Sequence, residues 1–285
     1  MEVVHGVSGL GPRHGRLFIV VGVFDGLHRG HLYLLGHLRR EAALRRARPA
    51  VVTFDAHPDE VLTGSAPPLL CDPEERLVRL ERAGVEVTIV QHFDVALRET
   101  PYDRFVEMIR ERTEVAGFLM TPDAAFGHHR RGTPSALAEL GRRLDPPFDV
   151  SVVPPLELDG RPVRSGEIRS DLAAGDLAAA RRLLGRSLSV VGEVTPVTRA
   201  ADGQRRAVHL GFGLPVALPP PAAYRVLVEP GWVESGHAGR VAARRATAVV
   251  DADDGVRIAS ARGLPIADRL RVTFLRRASP TAPEA

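Results

Sequence analysis

Five short apolar runs, Leu17–Val21, Ala50–Phe54, Val85–Val90, Gly117–Met120 and Val150–Val153, recur along the first half of the chain with helical stretches between them. A run of that length without alternation reads as a strand buried on both faces. Such strands alternating with helices argue for a parallel sheet wound on both sides. Several helix starts are marked. Asp72-Pro73-Glu74-Glu75 sets a cap, a first-turn proline and two acids at the positive end of the dipole, and Thr100-Pro101 and Thr133-Pro134 repeat the cap and proline. "LELDGRPV" reads as a hairpin turning at Asp159-Gly160, Ser165 as the cap of a following helix, and Asp176–Leu184 as a further short helix.

After Arg186 the helical period disappears. Short β-like runs follow at Ser189–Val194, Arg206–Leu210, Tyr224–Glu229, Thr247–Asp251, Val256–Ser260 and Leu270–Leu275, with hairpin dipeptides at Asp202-Gly203 and Asp254-Gly255. They predict a small antiparallel barrel or sandwich. The closing "SPTAPEA" reads as a disordered tail, and no internal repeat is visible. At 285 residues the chain is long enough for one large domain or two ordinary ones.

Charge says less than it first suggests. All 38 basic residues are arginine, a bias spread over the whole chain, and the net charge is only +3. Pairs such as Arg39–Arg40 and Arg142–Arg143 fall on polar helix faces or ends, and no aromatic stacking motif accompanies them, so no nucleic-acid partner is expected. No run is long enough to cross a bilayer, and Leu17–Phe24 is too short and wrongly flanked for a signal peptide. A lone cysteine, Cys71, forms no internal disulfide. A cytoplasmic protein, a monomer or weak oligomer with no membrane partner, is expected.

"GVFDGLHRGH", Gly22 to His31, joins the first strand to a helix whose apolar face repeats through Leu32, Leu35, Leu38 and Ala42. Glycines at 22, 26 and 30 allow close approach of backbone to a ligand. A helix opening near His28 aims unpaired N–H groups and its dipole at whatever lies above the sheet, and phosphate suits that position. His28 and His31, three apart, face one side and are placed to donate to phosphoryl oxygens. The spacing alone leaves other readings open: surface polar residues, or half of a metal site for which no third and fourth ligand stands out. It is not a Walker loop, since the GK[ST] ending is absent.

With its neighbours, the stretch resembles the HxGH signature of the nucleotidyltransferase superfamily, in the form carried by bacterial bifunctional riboflavin kinase/FAD synthetases. "VVTFDAHPDEVL" is similar to that family's FxPHP segment, "PDAAFGHHRRG" to its G-[DN]-F-x-F-G loop, and "VRSGEIRSDLAAGDLAAARRLLGR" to its ISSTxIR segment, in the same order. The resemblance implies a Rossmann-like nucleotidyltransferase domain over residues 1–186 and a riboflavin-kinase-like β-barrel over 187–285, an α/β fold followed by a small antiparallel barrel. Gly22, Phe24, Asp25, Gly26 and Gly30 would form the ATP-binding turn, with His28, His31, Ser165 and Arg169 as the catalytic residues on the phosphates. His57, Pro58, Asp123, Phe126 and Gly127 would lie on the flavin side. Taken without the resemblance, Phe126 and Pro58 read equally as packing and turn residues, and Asp25 and Asp123 as turn-stabilising aspartates. His128, His129 and the two arginines after them read as a solvated loop tip or as a loop that closes over phosphates.

The implied reaction is transfer of AMP from ATP, carried with Mg²⁺, to FMN, giving FAD and pyrophosphate. The attacking phosphate oxygen is already ionised, so in-line positioning and charge neutralisation suffice, and no nucleophile–base pair is needed. No metal-ligating residues are assigned. The chain departs from the family pattern at Ala56, Thr121, Ala124, Ala125, Arg164 and Gly166, which leaves open an adenylyltransferase for another phosphorylated acceptor, or a non-catalytic flavin- or nucleotide-binding protein. In the barrel, "LGFGLPVAL" puts Val216 and Leu218 where the family has Thr and Asn at its metal–nucleotide site, so loss of riboflavin kinase activity is expected. Arg76 stands where the family often has lysine, and the sequence assigns it no part.

Overall fold

The computed structural model describes residues 1–195, 208–231, 243–253, 255–258 and 267–279. Their contacts group into two units. The first comprises Met1–Pro67 and Arg76–Val163, the second Pro68–Glu75 and Arg164–Ala285.

The first unit is a parallel sheet of β1 (Glu2–His5), β2 (Leu17–Val21), β3 (Arg48–Phe54), β4 (Val87–Gln91), β5 (Val115–Met120) and β6 (Asp149–Val152), in the spatial order β1-β4-β3-β2-β5-β6. Alternate residues of one strand feed two separate cores. Leu17 and Ile19 of β2 pack with Ala50, Val52, Val87 and Ile89 against Phe105, Val106 and Ile109 of α5 (Tyr102–Arg110) and Leu137 of α6 (Pro134–Arg143). Phe18 and Val20 face the other way, against Leu35, Leu38 and Ala42 of α1 (Arg29–Leu44). Burial on both faces is the reason β2 is apolar throughout; β6 departs from that expectation, with Asp149 and Val152 exposed at the sheet edge. β2 matches its expected limits, and the other anticipated strands differ by a residue or two at their ends. β1 is unanticipated: only Val4 of its four residues is buried, and it lies at the sheet edge against β4.

The caps are partly as expected. Asp72 Oδ1 accepts from the N–H groups of Glu74 and Glu75 where α3 (Pro73–Arg82) begins, and Thr133 caps α6. Asp176, expected as the first residue of its helix, is instead the cap of α8 (Leu177–Leu184). Thr100 does not cap α5. It ends α4 (Val95–Glu99) with its hydroxyl on Ala96 O, and α5 opens after Pro101 with no side-chain cap. Ser165 is likewise the first residue of α7 (Ser165–Ala173), whose cap position is Arg164. The Asp159-Gly160 turn joins β7 (Glu157–Leu158) to β8 (Arg161–Pro162), both turn residues having positive φ (51° and 73°), as a primed hairpin turn requires.

In the second unit β9 (Ser189–Thr195), β10 (Val208–Gly211), β11 (Ala222–Pro230), β12 (Arg244–Val250), β13 (Val256–Ile258) and β14 (Arg269–Arg277) close into a barrel in the order β10-β13-β12-β11-β14-β9. Alternation fills its interior: Tyr224, Val226 and Val228 of β11 and Leu270, Val272 and Phe274 of β14 are buried. The segment before α3 is bound into this unit. Leu69 N donates to Pro215 O and Ala217 N to Leu69 O, both at 2.8 Å, while Arg269 pairs with Asp72 and Glu74 and Arg271 with Glu75. Asp202-Gly203, Asp254, the ends of the runs expected at Arg206–Leu210 and Val256–Ser260, and the tail from Pro280 lie outside the described residues. No helix among the described residues is long and apolar enough to cross a membrane.

Candidate active site

β2 is flanked by β3 on one side and β5 on the other, so the chain order reverses around it. In an open α/β sheet that is where a crevice forms beyond the strand ends. The Gly22–His31 loop leaves β2 there with an unusual backbone. Phe24 (φ 54°), Gly26 (φ 81°) and Leu27 (φ 39°) all have positive φ, and two of them are not glycine. Strain of this kind persists only where the surroundings over-determine it. The surroundings here are explicit. Val23 O accepts both from the Thr53 hydroxyl (3.0 Å) and from the guanidinium of Arg76 (3.1 Å), which also donates to Phe54 O at 2.7 Å. Arg76 is buried, and by these bonds it fixes the loop to the end of β3. No sequence signal finds this role, because its targets are backbone carbonyls.

The loop ends at His28, which caps α1: its Nδ1 accepts from the backbone N–H of His31 at 3.2 Å. That bond assigns the hydrogen of the neutral ring to Nε2. The two imidazoles stack, centroids 3.6 Å apart and 18° from parallel, and Phe24 packs on His31 at 5.0 Å. Burial, and secondarily the neighbouring His28, push the His31 pKa well below the ordinary 6.5, so His31 is neutral at physiological pH. His31 Nδ1 is buried with no hydrogen-bond partner. Gly30 is required by packing: a Cβ there would lie 2.6 Å from Val163 O and 3.1 Å from the His28 ring. Asp25 is buried in the short turn that precedes the cap.

Beside this loop a cavity of about 720 Å³ opens over the ends of β2, β3, β4 and β5. Gly22, His57, Pro58, Phe126 and Gly127, all expected at the site, line it. So do Phe54, Leu62, Phe93, Phe105 and Phe118, which sequence reasoning missed. The volume and the mix of aromatic walls with a few polar groups suit a cofactor-sized ligand. His57 caps α2 (Pro58–Thr63) by accepting from Asp59 N–H, and Phe126 packs edge-on to Phe105 at 5.7 Å. The rim carries Arg98, Glu99, His128, His129 and Arg130. His128 Nδ1 lies 3.2 Å from both Arg98 O and a Glu99 carboxylate oxygen. Asp123 is exposed and does not line the cavity; its carboxylate accepts from the Thr121 hydroxyl, and its carbonyl from Arg130.

Ser165 and Arg169 belong to the second unit. Ser165 opens α7, and Arg169 Nε donates to Pro68 O at 2.8 Å. Among the described residues no group of three or more His, Cys, Asp or Glu is arranged to hold a metal ion.

A family model described as FAD synthetase matches residues 12–167, a stretch that contains the loop, the stacked histidines and the whole cavity lining. The chain belongs to the FAD synthetase family. Its similarity to curated members runs further along the chain. It is 32% identical over 212 residues to the bifunctional riboflavin kinase/FMN adenylyltransferase of Pseudomonas fluorescens, covering 74% of this chain and 66% of that protein. To the enzyme of the same description from Haemophilus influenzae it is 31% identical, over 68% of this chain and 63% of the relative. The chain thus spans a little under two thirds of the length of these relatives. A solved structure described as a macrolide-efflux protein from Streptococcus pneumoniae superposes with a TM-score of 0.78 over 99% of this chain and 92% of its own, at 21% identity, a likeness of fold alone.

The parts of the first unit have chemical properties that bear on the ligands they suit. N-terminal N–H groups of α1, a ring with its proton on Nε2 and a neutral imidazole with an unpartnered nitrogen are donors and a proton acceptor suited to a polyanion. The adjoining aromatic cavity suits a flat heterocycle.

Proposed function

We propose that this FAD synthetase family member transfers AMP from MgATP to FMN, releasing pyrophosphate and forming FAD. The observation that carries the reading is the His28–His31 stack at the opening of α1, on the same sheet edge as the aromatic cavity. An FMN phosphate oxygen attacks the α-phosphorus of ATP; the new P–O bond forms as the bond to the bridging β-oxygen breaks, and pyrophosphate carries off the electron pair. No proton has to leave the nucleophile. The chain's work is to hold both phosphates in line and to meet the charge that grows on the leaving group. His28 Nε2–H donates to the triphosphate. His31, neutral before the nucleotide arrives, takes up a proton as negative charge is brought against it. Magnesium enters as part of the substrate, MgATP.

Ser165 and Arg169, matched by the resemblance to phosphate-binding positions, are assigned to the same substrate, and residues 1–186 and 187–285 remain the adenylyltransferase-like and kinase-like parts of the chain. Riboflavin kinase activity is lost in this reading. Val216 and Leu218 offer only hydrocarbon where a hard cation needs oxygen, and Val216 pairs with Leu69. The protein acts as a cytoplasmic monomer or weak oligomer, with ATP and FMN as its small-molecule partners. A second reading, transfer to another phosphorylated acceptor, is favoured by one feature: the small side chains Ala124 and Ala125 line the cavity.

The test is chromatographic. Purified protein with ATP, Mg²⁺ and FMN is expected to yield FAD and pyrophosphate in equal amounts, and riboflavin with ATP to yield no FMN. ATP bound with no FAD formed moves the assignment to another acceptor or to a binding role.

A further inference from the structure

Two residues just beyond the strand ends, Asp55 after β3 and His92 after β4, take no part in the reaction described above. Asp55 Oδ1 accepts from the N–H of Ala56 (2.7 Å) and of Phe93 (3.3 Å), and Oδ2 lies 2.7 Å from His92 Nδ1. One carboxylate therefore ties together the first residues of two loops that are 37 positions apart in sequence. Ala56 matters to this tie, since a proline in its place would have no N–H to give.

Both loops wall the cavity. Phe54, His57, Pro58 and Leu62 line it from the β3 side, Phe93 and Leu97 from the β4 side. The Phe54 and Phe93 rings, each next in sequence to a member of the pair, meet edge-on at 5.3 Å. Asp55 and His92 do not line the cavity themselves. Their side chains are 44% and 69% exposed, and exposed ion pairs contribute little to global stability. What the pair can govern is the spacing of the loops.

We infer that the Asp55–His92 ion pair is a positioning device that sets the separation of the two loops walling the flavin side of the cavity, and through it the affinity for the acceptor. The acceptor's identity rests on the function proposed above; the tie between the loops does not. The charge state suits the role. Burial works against the ionised Asp55, but the bonds from His92, Ala56 and Phe93 outweigh it and hold the carboxyl below its ordinary pKa. The hydrogen bond and charge of Asp55, with Asp94 nearby, raise that of His92.

The experiment compares wild type, His92→Ala and His92→Gln by amide hydrogen exchange and by steady-state kinetics. In His92→Ala, exchange in the two loops is expected to rise about fivefold, the scale of a surface ion pair, with β3 and β4 unchanged. The KM for FMN rises by about the same factor, while kcat and the KM for MgATP stay put. Gln, which keeps a donor for Asp55, restores most of both effects. Unchanged exchange in the loops overturns the proposal, and so does a fall in kcat or a rise in the MgATP KM that accompanies the FMN effect. If wild type makes no FAD, the proposed reaction fails, and the exchange measurement still decides whether the pair braces the loops.

Discussion

The backbone N–H of His31 donates to His28 Nδ1 while the two imidazole rings stack 3.6 Å apart. One side chain thus caps the helix, fixes its own tautomer and supports the second ring. A stacked pair of this kind resists double protonation, since each cation would face the other at contact distance.

Replacement of His28 should therefore have two separable effects. His28→Ala loses the cap, about 1 kcal/mol of stability, and lowers kcat by about 10²–10³ through loss of a donor at the phosphates. His28→Asn keeps a capping oxygen, so its melting temperature should recover and its kcat should not. Recovery of both would remove His28 from the chemistry.

Acid should expose the state of His31. The unfolded imidazole takes up a proton near its ordinary pKa of 6.5, and the folded one, held well below that, does not. Its contribution to folding is thus undiminished above that pH and declines as pH falls through it. Thermal melts from pH 8 to 5.5 should show the decline, and His31→Gln should flatten it. MgATP binding should take up protons as the triphosphate draws His31 toward its charged form, visible as a dependence of binding heat on buffer ionisation enthalpy.

Gly30→Ala would set a methyl 2.6 Å from Val163 O, a backbone atom with little room to retreat. Overpacking of this order costs about 1–3 kcal/mol and shifts the loop. We expect a lower urea midpoint together with weaker ATP binding, measured on the same preparation. Normal nucleotide affinity would show that the loop's position does not govern the phosphates.

Arg76→Met keeps the aliphatic stem and removes both bonds. Val23 O retains the Thr53 hydroxyl, but Phe54 O loses the partner described for it. Hydrogen bonds to charged groups contribute about 1.5–3 kcal/mol each, and a loss within that range is expected in denaturant titrations. Because Arg76 holds both the β2–α1 loop and the end of β3, the KM values for ATP and FMN should rise together, unlike the selective effect expected at His92.

Where a residue's task lies on its own element, the sequence displays it. The apolar run of β2 and the three-residue spacing of His28 and His31 led to the correct strand limits and to rings on one side. The capping residues Asp72 and Thr133 are equally local. Thr100 misled because a Thr-Pro pair serves as well to end one helix as to begin the next, and here α4 has the prior claim on its hydroxyl. Tasks that depend on a distant partner stayed hidden. Arg76 serves carbonyls 53 and 22 positions away, and nothing in the side chains of Val23 or Phe54 advertises that need. β1 was invisible for another reason: four residues with one buried side chain carry too little pattern to read.

The barrel unit is assembled from two stretches of chain, Pro68–Glu75 and everything from Arg164 onward. Arg269 and Arg271 of β14 find Asp72, Glu74 and Glu75 on the first stretch, with Glu75 fully buried. A gene exchange with a single crossover between residues 75 and 164 would import new arginines without their acids, or new acids without their arginines. The buried carboxylate would then face a stranger. In descent, these eight residues are bound to travel with a barrel from which the sequence separates them by almost ninety positions.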